Sequence, residues 1–444
     1  MSHPDATDLA TQLAQGRISS RDLVRSSLDA ISRSAVHAFV HVDAQAALEQ
    51  ADAADRRRAA GQSLGALDGL PVAIKSNIAV SEWPHSAGLR FRRDDLALHD
   101  AFIVQRLRKA GAVLLGLTGM DEGALGAEGM NPWYGTVHNP RRPGYSAGGS
   151  SSGSGAAVVA GQCAFALGTD TIGSVRIPAS FCGCVGYKPS FGLLSVSDVV
   201  PVHLRFDHVG LLTRSVRDLE WLLPSLAAHD PASKVSVPVT LQASSARLRG
   251  ARIGFATGLD AFHPEDAVQA GFALAVDAAR RRGAELVPID LSRWDLPRVR
   301  RAILALCEVQ MWQVHRDRTV RRPEDFSDGL RAFIRYGGKL AADEIRQAEE
   351  RIAGFYRDWT AATAPLQATL LPTTACRAFP HGERRPQNTA DLTAIASATG
   401  EPAIAVPVPI RDEMLPASVQ LVGHRSRDPD LVVLATELEE HLAD

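Results

Sequence analysis

Two serines and one lysine carry the chemistry that can be read from this chain. Ser150 lies in the loop Gly148-Gly149-Ser150-Ser151-Ser152-Gly153-Ser154. Ser174 lies in the loop Gly168-Thr169-Asp170-Thr171-Ile172-Gly173-Ser174-Val175-Arg176-Ile177-Pro178. Glycines let the backbone take positive φ and approach a ligand closely. Upstream, Lys75 ends the apolar run Leu70-Pro71-Val72-Ala73-Ile74. A lysine drawn out of water gives up its proton, and a neutral amine can activate a serine hydroxyl without histidine. Each part alone has a plainer reading. Gly-rich loops before helices often only turn the chain or hold phosphate. A lone serine is more often a helix cap, and a lone lysine is more often solvated. Neither loop closes with Gly-Lys-Ser/Thr, so a phosphate loop is excluded.

The elements that must position these residues alternate between strand and helix. Ser19-x-x-Asp22 reads as a capping box ahead of Leu23, Val24, Leu28 and Ile31 at helical spacing. Ala38–Val42 is a strand, a helix runs from Asp43 to near Gly61, and Leu70–Lys75 returns as a strand. Asp100–Ala110 is a helix stopped by Gly111, followed by the apolar strand Ala112–Leu117. The first serine loop leads into a small-residue helix over Gly155–Gly161, and strand Ala164–Leu167 opens onto the second. Ala251–Ala256, Pro264–Arg282 and Ala284–Ile289 form a β-α-β unit. Long helices follow at Arg298–Thr319 and Ala341–Thr363, with a polar stretch at Arg321–Gly329 between them. Ala368–Leu371, Ala403–Pro407 and Ser418–Val422 are buried strands, and Asp428–His441 closes as a helix. Ala227–Ala246 is a polar excursion. The expected class is α/β, with a mostly parallel sheet covered on both faces.

At 444 residues the chain can bury a large core, and 45% of it is apolar. A net charge of −2 argues against nucleic acid as a partner. No stretch is long and apolar enough to span a membrane, and Met1–Leu9 has no apolar signal core, so a cytoplasmic location is expected. Five cysteines make no disulfide framework, and Cys182-x-Cys184 is too tightly spaced for a zinc knuckle. His203, His208 and His424 are read as structural, with no metal.

The two loops, set 24 residues apart from serine to serine, resemble the amidase signature family. The resemblance is close over Gly144–Gly192 and good at Gly69–Lys75, Asp121–Pro140 and Pro402–Glu437. It implies a single domain over 1–444, with a signature core at about 65–225 and a C-terminal part, about 250–444, that completes the sheet and pocket. It also implies a large mixed sheet sandwiched between helices. Carried over by residue, Lys75 is the base, Ser150 the bridging serine in a cis peptide, and Ser174 the nucleophile. Backbone N–H groups of Thr171, Ile172, Gly173 and Ser174 would receive the oxyanion. Ser151, Asp170 and Arg176 would hold the loops in shape, and Ala124, Ile172 and Arg205 would border the substrate. Trp133 and Tyr134 would lie near the pocket, or equally in the core.

Four positions depart from the family pattern. Ser76 follows Lys75 where aspartate is usual, Ile172 replaces a frequent glycine, Ser397 stands where asparagine is common, and Arg205 replaces a small polar residue. Ile172 narrows the acyl side. Arg205 could fork onto a substrate carboxylate, though pairing with Asp207 or Asp198 is the favoured alternative. The expected function is amide hydrolysis to an acid plus ammonia or amine, without cofactor, on a small-molecule amide, with no nucleic acid or membrane as partner and a homodimer as the possible assembly. The alternative is the glutaminase-type member of a transfer-RNA amidotransferase complex. A non-catalytic scaffold is the second alternative, opposed by the intact Lys75, Ser150 and Ser174.

Overall fold

The strands form where apolar residues alternate between two buried faces. In the computed structural model, which describes residues 3–410 and 414–442, Val72 and Ile74 face one hydrophobic cluster and Ala73 faces another. Likewise Leu114 packs on one side, and Val113 and Leu115 on the other. A strand buried on both faces needs helices above and below it. The strands are β1 (Phe39–Val42), β2 (Pro71–Lys75), β3 (Val113–Thr118), β4 (Met130–Asn131), β5 (Gly135–Thr136), β6 (Phe165–Asp170) and β7 (Val185–Lys188). They continue with β8 (His208–Thr213), β9 (Arg252–Thr257), β10 (Glu285–Asp290), β11 (Ala368–Pro372), β12 (Ala403–Val408) and β13 (Ala417–Val422).

Among the described residues, β4 and β5 form a separate hairpin, and the other strands make one 11-stranded sheet. Its order is β1-β3-β2-β6-β8-β7-β12-β13-β11-β9-β10. The sheet is mixed, and the expectation of mostly parallel pairing is corrected. Parallel pairs occur at β3-β2-β6 and at β11-β9-β10. The centre, from β6 through β8, β7, β12 and β13 to β11, is antiparallel throughout. The physical reason lies in the connections. Helices cross over between parallel strands, whereas β7 runs to β8 and β12 to β13 with no helix among the described residues between them.

Helix starts follow their caps. The Ser19 hydroxyl accepts from the Asp22 N–H ahead of helix Ser20–Ser32, and Asp43 accepts from the Ala46 N–H ahead of helix Ala44–Ala59. Helix Leu296–Arg321 and helix Ala342–Thr363 fall where the spacing placed them. Helix Asp328–Gly337 was not expected: it begins inside the stretch Arg321–Gly329 that read as polar, and it buries Leu330 and Ile334 beyond that stretch. Gly337 explains how closely this helix crosses Leu296–Arg321. A Cβ there would lie 2.0 Å from the Glu308 carbonyl oxygen. Residues 228–247 carry neither helix nor strand.

Candidate active site

Lys75 is the last residue of β2, the third strand from one edge of the sheet, and is fully buried. Its Nζ lies 2.8 Å from Ser150 Oγ and 2.8 Å from Thr169 Oγ1. Ser150 is itself buried and follows a cis peptide bond from Gly149. Only glycine fits at 149, because a Cβ there would stand 2.0 Å from Asp121 Oδ2. Helix Ser152–Val159 begins directly after the bridging serine and closes tightly on the sheet, since a Cβ at Gly153 would lie 2.3 Å from the Ala38 carbonyl. Strand β6 then delivers Thr169 and Asp170 to the same end of the sheet.

The second loop is held by Asp170. Its carboxylate accepts from the Gly173 N–H (2.7 Å), the Val175 N–H (3.2 Å), and Arg176 Nε (3.0 Å) and Nη2 (3.1 Å). Burial alone would raise the Asp170 pKa, but the Arg176 guanidinium outweighs it and holds the carboxyl well below its ordinary range. Arg176 is fully buried and also donates to the Thr393 carbonyl, Gln420 Oε1 and Ser397 Oγ. Ser397 thus anchors Arg176. The Ser151 N–H donates to the Ser174 carbonyl at 3.1 Å, which ties the two serine loops together. Ser151, Asp170 and Arg176 thus hydrogen-bond within and between the two serine loops.

Ser174 is partly exposed and lines a cavity of about 530 Å³ together with Ala124, Thr171, Ile172 and Ile177. One expected oxyanion donor is corrected. The Gly173 N–H is already engaged by Asp170 Oδ1, so it does not face the cavity as a free donor. The N–H groups of Ile172 and Ser174 have no partner among the described residues. Arg205 does not line the cavity either. It pairs with Glu349 and lies over the Phe206 ring. Asp207 or Asp198 was the expected partner, but Asp207 accepts instead from the Thr171 hydroxyl and the Val202 and His203 N–H groups, and Asp198 lies against His99. Trp133 donates its indole N–H to Glu122, outside the cavity wall.

Burial lowers the Lys75 pKa from 10.5 to about 7, against the opposing pull of Asp121, Asp170 and Asp207. Burial likewise raises Asp121 and Asp207 to about 6. A lysine at about 7 is half neutral near physiological pH and can accept a proton from Ser150. The sequence did not single out Thr169 or Asn77. Asn77 Nδ2 donates to Thr169 Oγ1 at 3.1 Å, so both residues orient the Lys75 amine. A hydroxyl on an otherwise apolar strand, between Gly168 and Asp170, was the available signal. Nor did it single out Arg301 and Glu308, which face the cavity from helix Leu296–Arg321. All five cysteines are buried free thiols, and no group of three or more metal-ligating side chains gathers among the described residues. No helix among the described residues is long and apolar enough to cross a membrane.

The amidase family model matches residues 22–432. A Synechococcus species and Acidothermus cellulolyticus have relatives that are named as one of the subunits of glutamyl-tRNA(Gln) amidotransferase. The first is 34% identical over 97% of this chain and 95% of its own length. The second is 32% identical over 98% and 93%. A solved structure, described as a vestigial protein complex that reveals the evolutionary origins of an s-triazine catabolic enzyme, superposes with a TM-score of 0.91. It is 31% identical, with 98% of each chain covered. The relatives' names overturn the expectation that excluded nucleic acid. They denote parts of an enzyme named for a transfer RNA. Near-neutral charge excludes only a charge-driven footprint on one chain, and says nothing about what an assembly of several chains handles.

Proposed function

Because the chain belongs to the amidase signature family, whose enzymes hydrolyse C–N bonds, we propose that it cleaves a carboxamide through an acyl-enzyme on Ser174. The observation that carries this reading is the buried Lys75, with its lowered pKa and its Nζ 2.8 Å from Ser150 Oγ. Neutral Lys75 takes the Ser150 proton while Ser150 takes that of Ser174. The Ser174 oxygen attacks the amide carbon, and the carbonyl π pair moves onto oxygen. The Ile172 and Ser174 N–H groups receive that oxyanion, each worth about 3 kcal/mol in comparable sites. When the tetrahedral centre collapses, the C–N bond breaks and the proton on Lys75 returns through Ser150 to the leaving nitrogen. Water then adds to the acyl carbon by the same relay, releasing the acid and restoring Ser174.

The liberated nitrogen has two outlets. It leaves as ammonia or amine into solution, or it passes to a partner chain. The relatives named as amidotransferase components favour the second outlet over a free-standing hydrolase. The test is ammonia release from glutamine and from a panel of aliphatic and aryl amides by the purified chain, with Ser174→Ala as the blank. Turnover of glutamine that rises steeply when partner chains are added supports the amidotransferase role. Full activity on another amide by the chain alone supports the hydrolase. Labelling of Ser174 by a serine-directed phosphonate is expected in both cases, and labelling elsewhere defeats the scheme.

A further inference from the structure

We infer that the amide substrate carries a carboxylate or similar planar anion, held by Arg301 in the wall of the Ser174 cavity. This rests on the amide-cleaving reading above. The cavity is two-sided. Around Ser174 the wall is apolar, formed by Ala124, Ile172 and Ile177. Helix Leu296–Arg321 supplies a charged wall with Arg300, Arg301 and Glu308.

The three guanidiniums in this wall are not equally satisfied. Arg300 Nε donates to Asp391 Oδ1 at 2.5 Å. Arg385, which also lines the cavity, reaches Glu128 only at 3.9 Å. Arg301 Nη2 donates to Glu308 Oε2 at 2.6 Å, and its guanidinium carbon lies 5.2 Å from the centre of the Tyr336 ring. These two contacts fix the plane of the fork. They leave Arg301 Nη1 buried with no hydrogen-bond partner among the described residues. A buried donor that is fixed in direction and unsatisfied is a recognition element waiting for an acceptor. Its charge selects an anion, and its planar fork selects a carboxylate over a point acceptor. Among the described residues of the lining, Glu308 is the only acidic one, against Arg300, Arg301 and Arg385. The field in the cavity therefore also favours a negative ligand. Arg205 takes no part, because it is engaged by Glu349 outside the cavity.

The experiment uses the full-length Ser174→Ala protein and calorimetry. The probes are malonamate, succinamate, glutaramate and adipamate, each paired with the neutral alkanamide of equal length. The expected result is that at least one half-amide binds tenfold or more tightly than its neutral partner. Adding Arg301→Gln should cut that preference tenfold or more, and Arg301→Lys should restore part of it. The proposal is overturned if no pair shows a preference. It is equally overturned if the preference survives in Arg301→Gln, or in Arg301→Met should the glutamine variant fail to melt cooperatively. Ammonia release by the wild-type protein on the same set separates the two readings. A binding preference without turnover upholds the anion site and defeats amide cleavage. Equal kcat/KM on charged and neutral amides upholds cleavage and defeats the anion site.

Discussion

At the scale of single residues, the site depends on one amine being neutral. Lys75, lowered to about 7 by burial, accepts a proton only as the free base. Below that pKa the ammonium predominates, so kcat/KM should fall about tenfold per pH unit on the acid side and level off above it. A pH profile measured on any turned-over amide checks this. A flat profile from about pH 5 to 9 would exclude Lys75 as the base. Lys75→Ala and Ser174→Ala should each cost about 10³-fold or more in kcat, with no further loss when combined, because members of one relay act as a unit. Ser150→Ala should cost less, since a water molecule can stand between Ser174 and Lys75. The meeting of Lys75 with Ser150 follows a strand end and a loop that the sequence marks. Thr169 was not legible, because it meets the lysine amine from the adjacent strand β6, and Asn77 acts only through Thr169. The Gly173 N–H was misassigned for a similar reason. Spacing places it beside the nucleophile, but the Asp170 carboxylate claims it.

At the scale of elements, the strands and long helices follow from apolar periodicity and caps. The pairing directions in the middle of the sheet do not, because they depend on which connections lack a helix. Helix Asp328–Gly337 was missed because it starts within the polar stretch Arg321–Gly329, yet it forms part of the cavity wall through Phe333 and Tyr336. Its crossing with Leu296–Arg321 is set by one missing methyl group. In an open helix, glycine to alanine gains about 1 kcal/mol. At Gly337 the added Cβ would meet the Glu308 carbonyl at 2.0 Å, so the helices must separate, at a cost of about 1–3 kcal/mol. Gly337→Ala should therefore lower the melting temperature and raise KM more than it lowers kcat, since Arg301, Glu308 and Tyr336 lie on the displaced pair. A melting curve and steady-state kinetics check this. Gly329→Ala, in the same helix and with open space around its Cβ, should do neither.

At the scale of the whole molecule, the residues proposed to carry the reaction and the charged wall of their cavity come from different halves of the chain. Lys75, Ser150 and Ser174 precede residue 228, and Arg301 follows residue 247. The halves meet where β12 pairs with β7, and where Arg176 reaches Thr393, Ser397 and Gln420. Composition flagged the polar excursion between them, but not that the sheet runs unbroken past it. A protease cut within 228–247 would convert one folded chain into two complementing fragments with a dissociation constant of their own. Activity of nicked protein should then depend on its concentration, falling on dilution and returning on mixing, while the intact chain keeps a constant specific activity. Dilution series of cut and uncut samples would read out directly how tightly one half of the molecule holds the other.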